Sequence, residues 1–501
     1  MREVPVFGRA RIARRLASVS LLAIAQAACA PADPPHEEGG DAALGALVVS
    51  IDALGARHVG AYDAAHATTP RFDRLAARGA LFERVYAQQT WTLTSHVSML
   101  SGLYVATHGA SSHTPARAGT PMLASILREE GFATAAFVSA GGYMKPDFGL
   151  GRGFDAYVVN DDGAATLDAA RAWLALQAAA RARDPEHRFL AFVHFYDVHS
   201  DVGTEWPYRA PDDFVARVFP DGVDWDRRGD TQLLVEMRRR GDATPRDLEV
   251  LHGLYDAEVL HADERRLGAL LDALRELALD ASTLVVATSD HGEELFEHGR
   301  GSHQSAYDEV ARVPLAIAGP GVPRGARAAA WSELVDVAPT VLDALGLDVP
   351  ASMQGESLLP LLDGRAAQSA VAHVDGRMPG LYGDYSSAIA RDVEGVPWTL
   401  VGFVDLDLTR TTEDERAFAL RGPGELYRLD DDPLQRHDLA AAEPALARRL
   451  ARELLAWYDA NERAAAAFAA PPDGGADAVA PGRALLSDAE RERLRAIGYA
   501  E

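Results

Sequence analysis

A chain of 501 residues, 48% hydrophobic and 25% charged, is ordinary globular material with length for a large core, so one large α/β domain and a smaller one are expected. A formal net charge of −25 argues against binding nucleic acid or anionic lipid headgroups through a broad basic surface. Of the 49 basic residues only Lys145 is a lysine.

Arg2, Arg9, Arg11, Arg14 and Arg15 precede a short apolar run that ends in small residues near Ala28. That order marks residues 1–28 as a secretory signal, and the run is too short for a comfortable membrane span. The chain's single cysteine, Cys29, follows at once. It is either a lipid attachment site of the bacterial lipoprotein kind or part of a simple cleavage region. With no second cysteine there is no intramolecular disulfide. Residues 29–45 (CAPADPPHEEGGDAALG) form a flexible tether. An exported protein of the periplasm or cell envelope is expected, with a membrane tether through Cys29 if that thiol is lipidated.

From residue 46 the chain alternates. ALVVSI (46–51) is an apolar run suited to a strand buried on both faces. TWTLTSHVSMLSG (90–102) reads as a loop feeding a helix, and its hydroxyls suit either an N-cap or a nucleophile near free N–H groups. A helix over 120–131 closes at Gly131 and leads into ATAAFVS, and Leu167, Ala170, Trp173 and Leu174 line one face of another. FLAFVHF (189–195) is a strand, 248–277 a long helix, and TLVVATS (283–289) and VPLAIAGPG (313–321) strands. The alternation predicts an α/β catalytic domain over 46–365, a large mostly parallel sheet flanked by helices, with its site at the carboxyl ends of the strands. Short strands and a helix then predict a smaller C-terminal antiparallel sheet plus helix over 366–470. Residues 471–501 read as a linker and a terminal helix opened by the capping box Ser487 to Glu490.

The chemistry lies at the strand ends. ALVVSI runs into Asp52, TLVVATS into Asp290 and His291, and FLAFVHF into the segment carrying His199. Singly, each reads as a turn or cap residue. Together, two carboxylates and an imidazole can hold a divalent metal, with Thr92 as a further ligand.

These segments, together with SIDALGARHVGAYDAAHATTPRFDRLAARG, YDVHSD, SDHGEELFEHG, GSHQSAYDEVARVPLAIAGPG and ELYRLDDDP, resemble in order and spacing the sulfatase family of the alkaline phosphatase superfamily. The resemblance makes Asp52, Asp290 and His291 metal ligands and puts Thr92 where the family keeps its nucleophile. It makes His199 and His303 groups that bind the anion or protonate the leaving oxygen, and His96 stands where the family has an arginine, as a further catalytic candidate. Sulfatases convert a Cys or Ser to formylglycine, and threonine is not a substrate for that conversion. Ile51 replaces a family Asp, Thr94 a Pro, and a chain with one lysine cannot supply two sulfate-binding lysines. The implied activity is metal-dependent hydrolysis of sulfate or phosphate esters, phosphate favoured, with one divalent ion, zinc or manganese before calcium. The alternatives are an inactive protein of this fold that binds an anionic glycan or headgroup, and a phosphotransferase. The substrate is a small-molecule, glycan or lipid-headgroup ester, with specificity expected from the loop between Gly203 and Arg246.

Overall fold

A computed structural model describes residues 42–468 apart from 65–66, 112–113, 140–141, 201–207, 224–239, 241–243, 365–370, 377–385 and 403–423. The expected signal segment, Cys29, nearly all of the tether, the terminal helix and most of the 203–246 loop lie outside the described residues.

The frame is a nine-stranded sheet. Its centre is β1 (Gly45–Ile51), flanked by β5 (Phe189–Phe195) and β6 (Thr283–Thr288), both parallel to it. All positions of these three strands are buried, as their near-continuous apolar runs require. Beyond β5 follow β3 (Ala133–Ser139) and β4 (Ala156–Asn160), again parallel. Beyond β6 the strand Leu315–Ala318 runs antiparallel between β6 and β2 (Ala80–Tyr86), and Ala326–Glu333 completes that side parallel to β2. The ninth strand, Arg312–Val313, also pairs antiparallel with β2, so the sheet is mostly parallel with the 312–318 segment reversed.

Apolar clusters cover both faces. Phe82, Trp91, Val97, Leu190, Phe192 and Val286 belong to one, Phe137, Phe189, Phe195, Leu254 and Leu274 to the other. Each such side chain contributes roughly 1.5–3 kcal/mol on leaving water. The long helix expected over 248–277 is Pro245–Ala262 and Gly268–Glu276 joined by a π turn, Asp263–Leu267. At that turn the Asp263 carboxylate accepts from the backbone N–H groups of Arg71 (2.7 Å) and Phe72 (2.8 Å) and so caps α1 (Pro70–Arg78) from across the domain.

The C-terminal strands Val371–Val374, Ser387–Val393, Val396–Gly402 and Glu425–Arg428 form a four-stranded antiparallel sheet. One face packs on the helix Pro444–Ala465 through Leu450, Leu454 and Tyr458. The other shares a cluster with Tyr86, Tyr307 and Trp331 of the main domain.

Candidate active site

Because β1, β5 and β6 are parallel neighbours, their carboxyl ends open on one edge, and register alone brings Asp52, Asp290, His291 and the 196–199 turn together. Asp52 leaves β1 with its N–H donating to Phe195 O (2.8 Å). The next residue, Ala53, has φ 59°, a left-handed conformation that costs a non-glycine residue about 1 kcal/mol. After His291 the chain must turn under the segment at Glu309. A Cβ on Gly292 would stand 2.1 Å from Glu309 O, so only glycine fits there.

Thr92 opens α2 (Thr92–Ser101), a ten-residue helix with every position buried. No side-chain cap closes its start. The neighbouring hydroxyls, expected as caps, bond elsewhere. Thr94 donates to the Gln89 side chain and to Trp91 O (3.2 Å), and Ser95 donates across the core to Asp290 O (2.7 Å). The Thr92 hydroxyl instead faces the cluster, 3.5 Å from Asp52 Oδ2 and 3.4 Å from His291 Nε2.

These donors fit a divalent cation. His291 Nε2 stands 3.4 Å from Asp290 Oδ2 and 3.6 Å from Asp52 Oδ1. Four ligands on a tetrahedral ion with bonds near 2.1 Å sit about 3.4 Å apart, so these spacings are those of one coordination shell. Asp52 Oδ1 and Asp290 Oδ2 are buried without a hydrogen-bond partner among the described residues, which is costly unless positive charge meets them. Burial, then the neighbouring Asp290 carboxylate, push the Asp52 carboxyl well above its usual range. His291 Nδ1 donates to Gly292 O (2.9 Å), because a carbonyl can only accept, and this leaves Nε2 as the ligating nitrogen. Burial, then His199, push the His291 ring down to about 3, so it is neutral.

His199 and His303 come together beside this shell. Their Nε2 atoms are 3.2 Å apart, while Nδ1 of His199 donates to Ser200 O (2.9 Å) and that of His303 to Thr90 O (2.7 Å). His303 stacks on His291 with ring centroids 4.1 Å apart. Among the site groups only Thr92 (7% exposed) and His199 (5%) reach solvent, so a substrate enters over them.

His96 lies one layer deeper. Its Nδ1 donates to Thr92 O (2.7 Å), its Nε2 accepts from the Ser50 hydroxyl (2.9 Å), and Nδ1 is 3.6 Å from Asp290 Oδ2. Burial, its largest influence, pushes the ring down to about 4. A ring so engaged buttresses Thr92 and Asp290 and does not present itself to a substrate, as an arginine at that position would.

One residue of the site has no counterpart among the sequence candidates. His194, next to last in β5, directs Nε2 at Asp52 Oδ2 (3.1 Å) and orients that carboxylate. Burial, before the raising influence of Asp290, pushes it down to about 4. The available signal is that it is the one polar residue in FLAFVHF.

The family model for sulfatases matches residues 46–347. Delta 4,5-hexuronate-2-O-sulfatase of Bacteroides thetaiotaomicron is 25% identical over 433 residues, 79% of this chain and 84% of that protein. Arylsulfatase K of Bos taurus is 38% identical over 120 residues, so that the match spans only 24% of this chain and 22% of that relative. A phosphonate monoester hydrolase structure from Silicibacter pomeroyi superposes with a TM-score of 0.60 at 21% identity, covering 83% of this chain and 95% of that one, a likeness of fold. The chain belongs to the sulfatase family.

Proposed function

We propose that this member of the sulfatase family is an exported, metal-dependent hydrolase whose nucleophile is the unmodified Thr92 hydroxyl and which prefers phosphate or phosphonate esters to sulfate esters. The observation that carries the reading is the Thr92 Oγ1 atom at the rim of a buried carboxylate–imidazole shell, 3.5 Å from Asp52 and 3.4 Å from His291. A divalent cation held by Asp52, Asp290, His291 and Thr92 supplies charge neutralisation and a lowered hydroxyl pKa.

The chain's own groups do the rest. Thr92 Oγ1 forms a bond to phosphorus as the bond to the leaving oxygen breaks, and Asp52 Oδ2, 3.5 Å away, is placed to take its proton. His194 holds Asp52, and His96 holds Asp290 and the first turn of α2. With both Nδ1 atoms donating to carbonyls, a proton carried on Nε2 of His199 or His303 is what this pair gives to the departing oxygen. Water entering past Thr92 then releases the phosphoryl group. A sulfated threonine has no such ready exit, because the hydrate that expels sulfate in formylglycine enzymes cannot form here. Sulfated or phosphorylated glycans and lipid headgroups are the substrate classes to try alongside small aryl esters.

The test is a screen of purified protein, supplied in turn with zinc, manganese and calcium, against aryl phosphate, aryl phosphonate and aryl sulfate. Phosphorus esters should turn over fastest, Thr92→Ala should lose about 10³-fold or more, and Thr92→Ser should keep much of the rate. Faster sulfate turnover, or a Thr92→Ala variant at wild-type rate, refutes the reading.

Export and a lipid anchor at Cys29 are part of the proposal, supported by the arginine-led apolar run and the lone cysteine behind it. Cells fed labelled fatty acid should label the wild type and not Cys29→Ala. Equal labelling of both, or unprocessed protein in the cytoplasm, removes the anchor.

A further inference from the structure

We propose that His58, His252 and Glu297 hold a divalent cation of the zinc class, at a site apart from the strand-end carboxylates. This cation ties the two loops that leave Asp52 and His291 to the helix Pro245–Ala262. The proposal goes beyond the reaction and does not depend on which ester the protein hydrolyses.

The three donors come from three parts of the chain. His58 follows Asp52, and Glu297 follows His291, by the same six residues. His252 stands on the helix Pro245–Ala262, with Tyr255 and Asp256 one turn further along the same face. That face already grips the first loop. The Tyr255 hydroxyl accepts from Gly55 N–H (3.0 Å) and donates to Ala53 O (2.6 Å). The His58 ring meets the Tyr255 ring edge-on, 4.5 Å between centroids, and lies nearly parallel to the His252 ring at 5.7 Å. Glu297 sits in the turn between the short paired strands Glu294–Leu295 and Gly301–Ser302. Phe296 beside it takes φ 73°, a left-handed conformation that a bulky residue keeps only where its surroundings hold it. Glu297 Oε2 accepts from Leu295 N–H (2.7 Å), while its Oε1 stands 3.9 Å from His252 Nε2. One ligand atom from each of His58, His252 and Glu297 falls within 4.8 Å of the other two.

The chemistry of the set selects the ion. Asp256 Oδ1 lies 2.7 Å from His58 Nδ1. A carboxylate accepts, so that nitrogen carries the hydrogen, and in the neutral ring Nε2 has the lone pair that a metal needs. A carboxylate behind a histidine is the usual support of a zinc ligand, fixing its tautomer and raising its basicity. Two imidazoles and one carboxylate are a zinc donor set, with water completing the tetrahedron, whereas calcium and magnesium look for oxygen. Two ligands of a tetrahedral zinc lie about 3.4 Å apart, so binding draws His252 and Glu297 together. The His252 side chain is 33% exposed, against 9% for His58 and 10% for Glu297, so it has the room to close, and the ion enters from its side. An ion held there fixes both loops to one rigid helix and acts on where they run, not on the reacting group.

The experiment counts metal and needs no turnover. Chelator-stripped protein is incubated with zinc, passed through gel filtration and measured by elemental analysis. Wild type should hold about one zinc more than His252→Gln/Glu297→Gln, and Asp52→Asn/Asp290→Asn should keep that same ion. Equal zinc in wild type and His252→Gln/Glu297→Gln overturns the proposal and leaves the catalytic metal untouched. If His252→Gln/Glu297→Gln loses its ion while Asp52→Asn/Asp290→Asn binds as much zinc as wild type, this site stands and the catalytic metal does not. A second measurement uses unmodified protein. Zinc should abolish carbethoxylation of His252 by diethyl pyrocarbonate, read by peptide mass spectrometry, while His437, whose side chain is 81% exposed, reacts as before. Labelling of His252 that zinc leaves unchanged overturns the site even where a variant fails to fold.

Discussion

The two halves of the site are built differently. Asp52 and Asp290 end adjacent parallel strands, and other side chains hold them. His194 bonds Asp52, His96 lies against Asp290, and Ser95 bonds the Asp290 carbonyl. His199 and His303 stand on separate loops, and main-chain carbonyls hold their rings. The acids thus inherit their position from sheet register, which cannot slip without turning buried strands inside out. The imidazoles depend on where two loops run. Backbone strain sits on both halves, at Ala53 after Asp52 and at Ser302 (φ 81°) before His303, where surrounding contacts must hold it.

The sharpest way to break the comparison is to remove one group from each half. Asp290→Asn should lower turnover by about 10³-fold or more and also lower the metal bound at the carboxylates, because a carboxylate oxygen without a hydrogen-bond partner among the described residues would be replaced by a neutral amide. His303→Gln should cost less, about 10²-fold, and should spare the ion held by Asp52, Asp290 and His291. Steady-state rates on an aryl phosphate with metal analysis of the same samples check both. A larger loss from His303→Gln than from Asp290→Asn would reverse the ranking of the halves.

A smaller effect tests whether side-chain support matters in the acid half. His194→Phe keeps the buried ring but removes the bond to Asp52 Oδ2. Metal affinity should fall by about 10–100-fold, the usual effect of losing a residue that orients a ligand, with zinc able to restore the rate at high concentration. Unchanged affinity, measured by competition with a chelating dye, would show that the strand end positions Asp52 unaided.

The same contrast explains what the sequence discloses. β1, β5 and β6 are readable because each is a near-continuous apolar run, and the acids that follow them are readable as strand-end residues. β2 is not, because Glu83 and Arg84 interrupt ALFERVY at its two half-buried positions. Nor is Ala326–Glu333, whose alanines favour helix and whose pairing with β2 overrides that preference. The reversal at Leu315–Ala318 leaves no mark in composition. Within the site, Thr94 and Ser95 read locally as caps because their partners, a side chain and a carbonyl from elsewhere in the core, come from tertiary structure. His194 is hidden by the apolar run around it. The pairing of His199 with His303, 104 positions apart, is beyond any local pattern.

The smallest expected effect separates the site's histidines from one that does no chemistry. His108, fully buried beneath α2, accepts at Nδ1 from Ala110 N–H (3.1 Å) and meets the Ser98 hydroxyl at Nε2 (3.1 Å). Burial, then Arg117, push it down to about 3. Its folded pKa is thus below the unfolded value near 6.5, so on acidification the unfolded chain takes up the proton first. The stabilising contribution of the neutral ring is complete above about pH 6.5 and is lost as pH falls toward 3, with a slope approaching about 1.4 kcal/mol per pH unit. Thermal melts of chelator-treated protein at about pH 7 and about pH 5 should show wild type losing more stability than His108→Gln, whose side chain does not titrate in that range. His108→Gln should start lower at the higher pH, since a packed ring is gone, and the gap should narrow on acidification. A gap that stays constant would mean that the His108 ring takes up its proton over the same pH range in the folded and the unfolded chain, and that burial alone does not keep a histidine of this protein neutral.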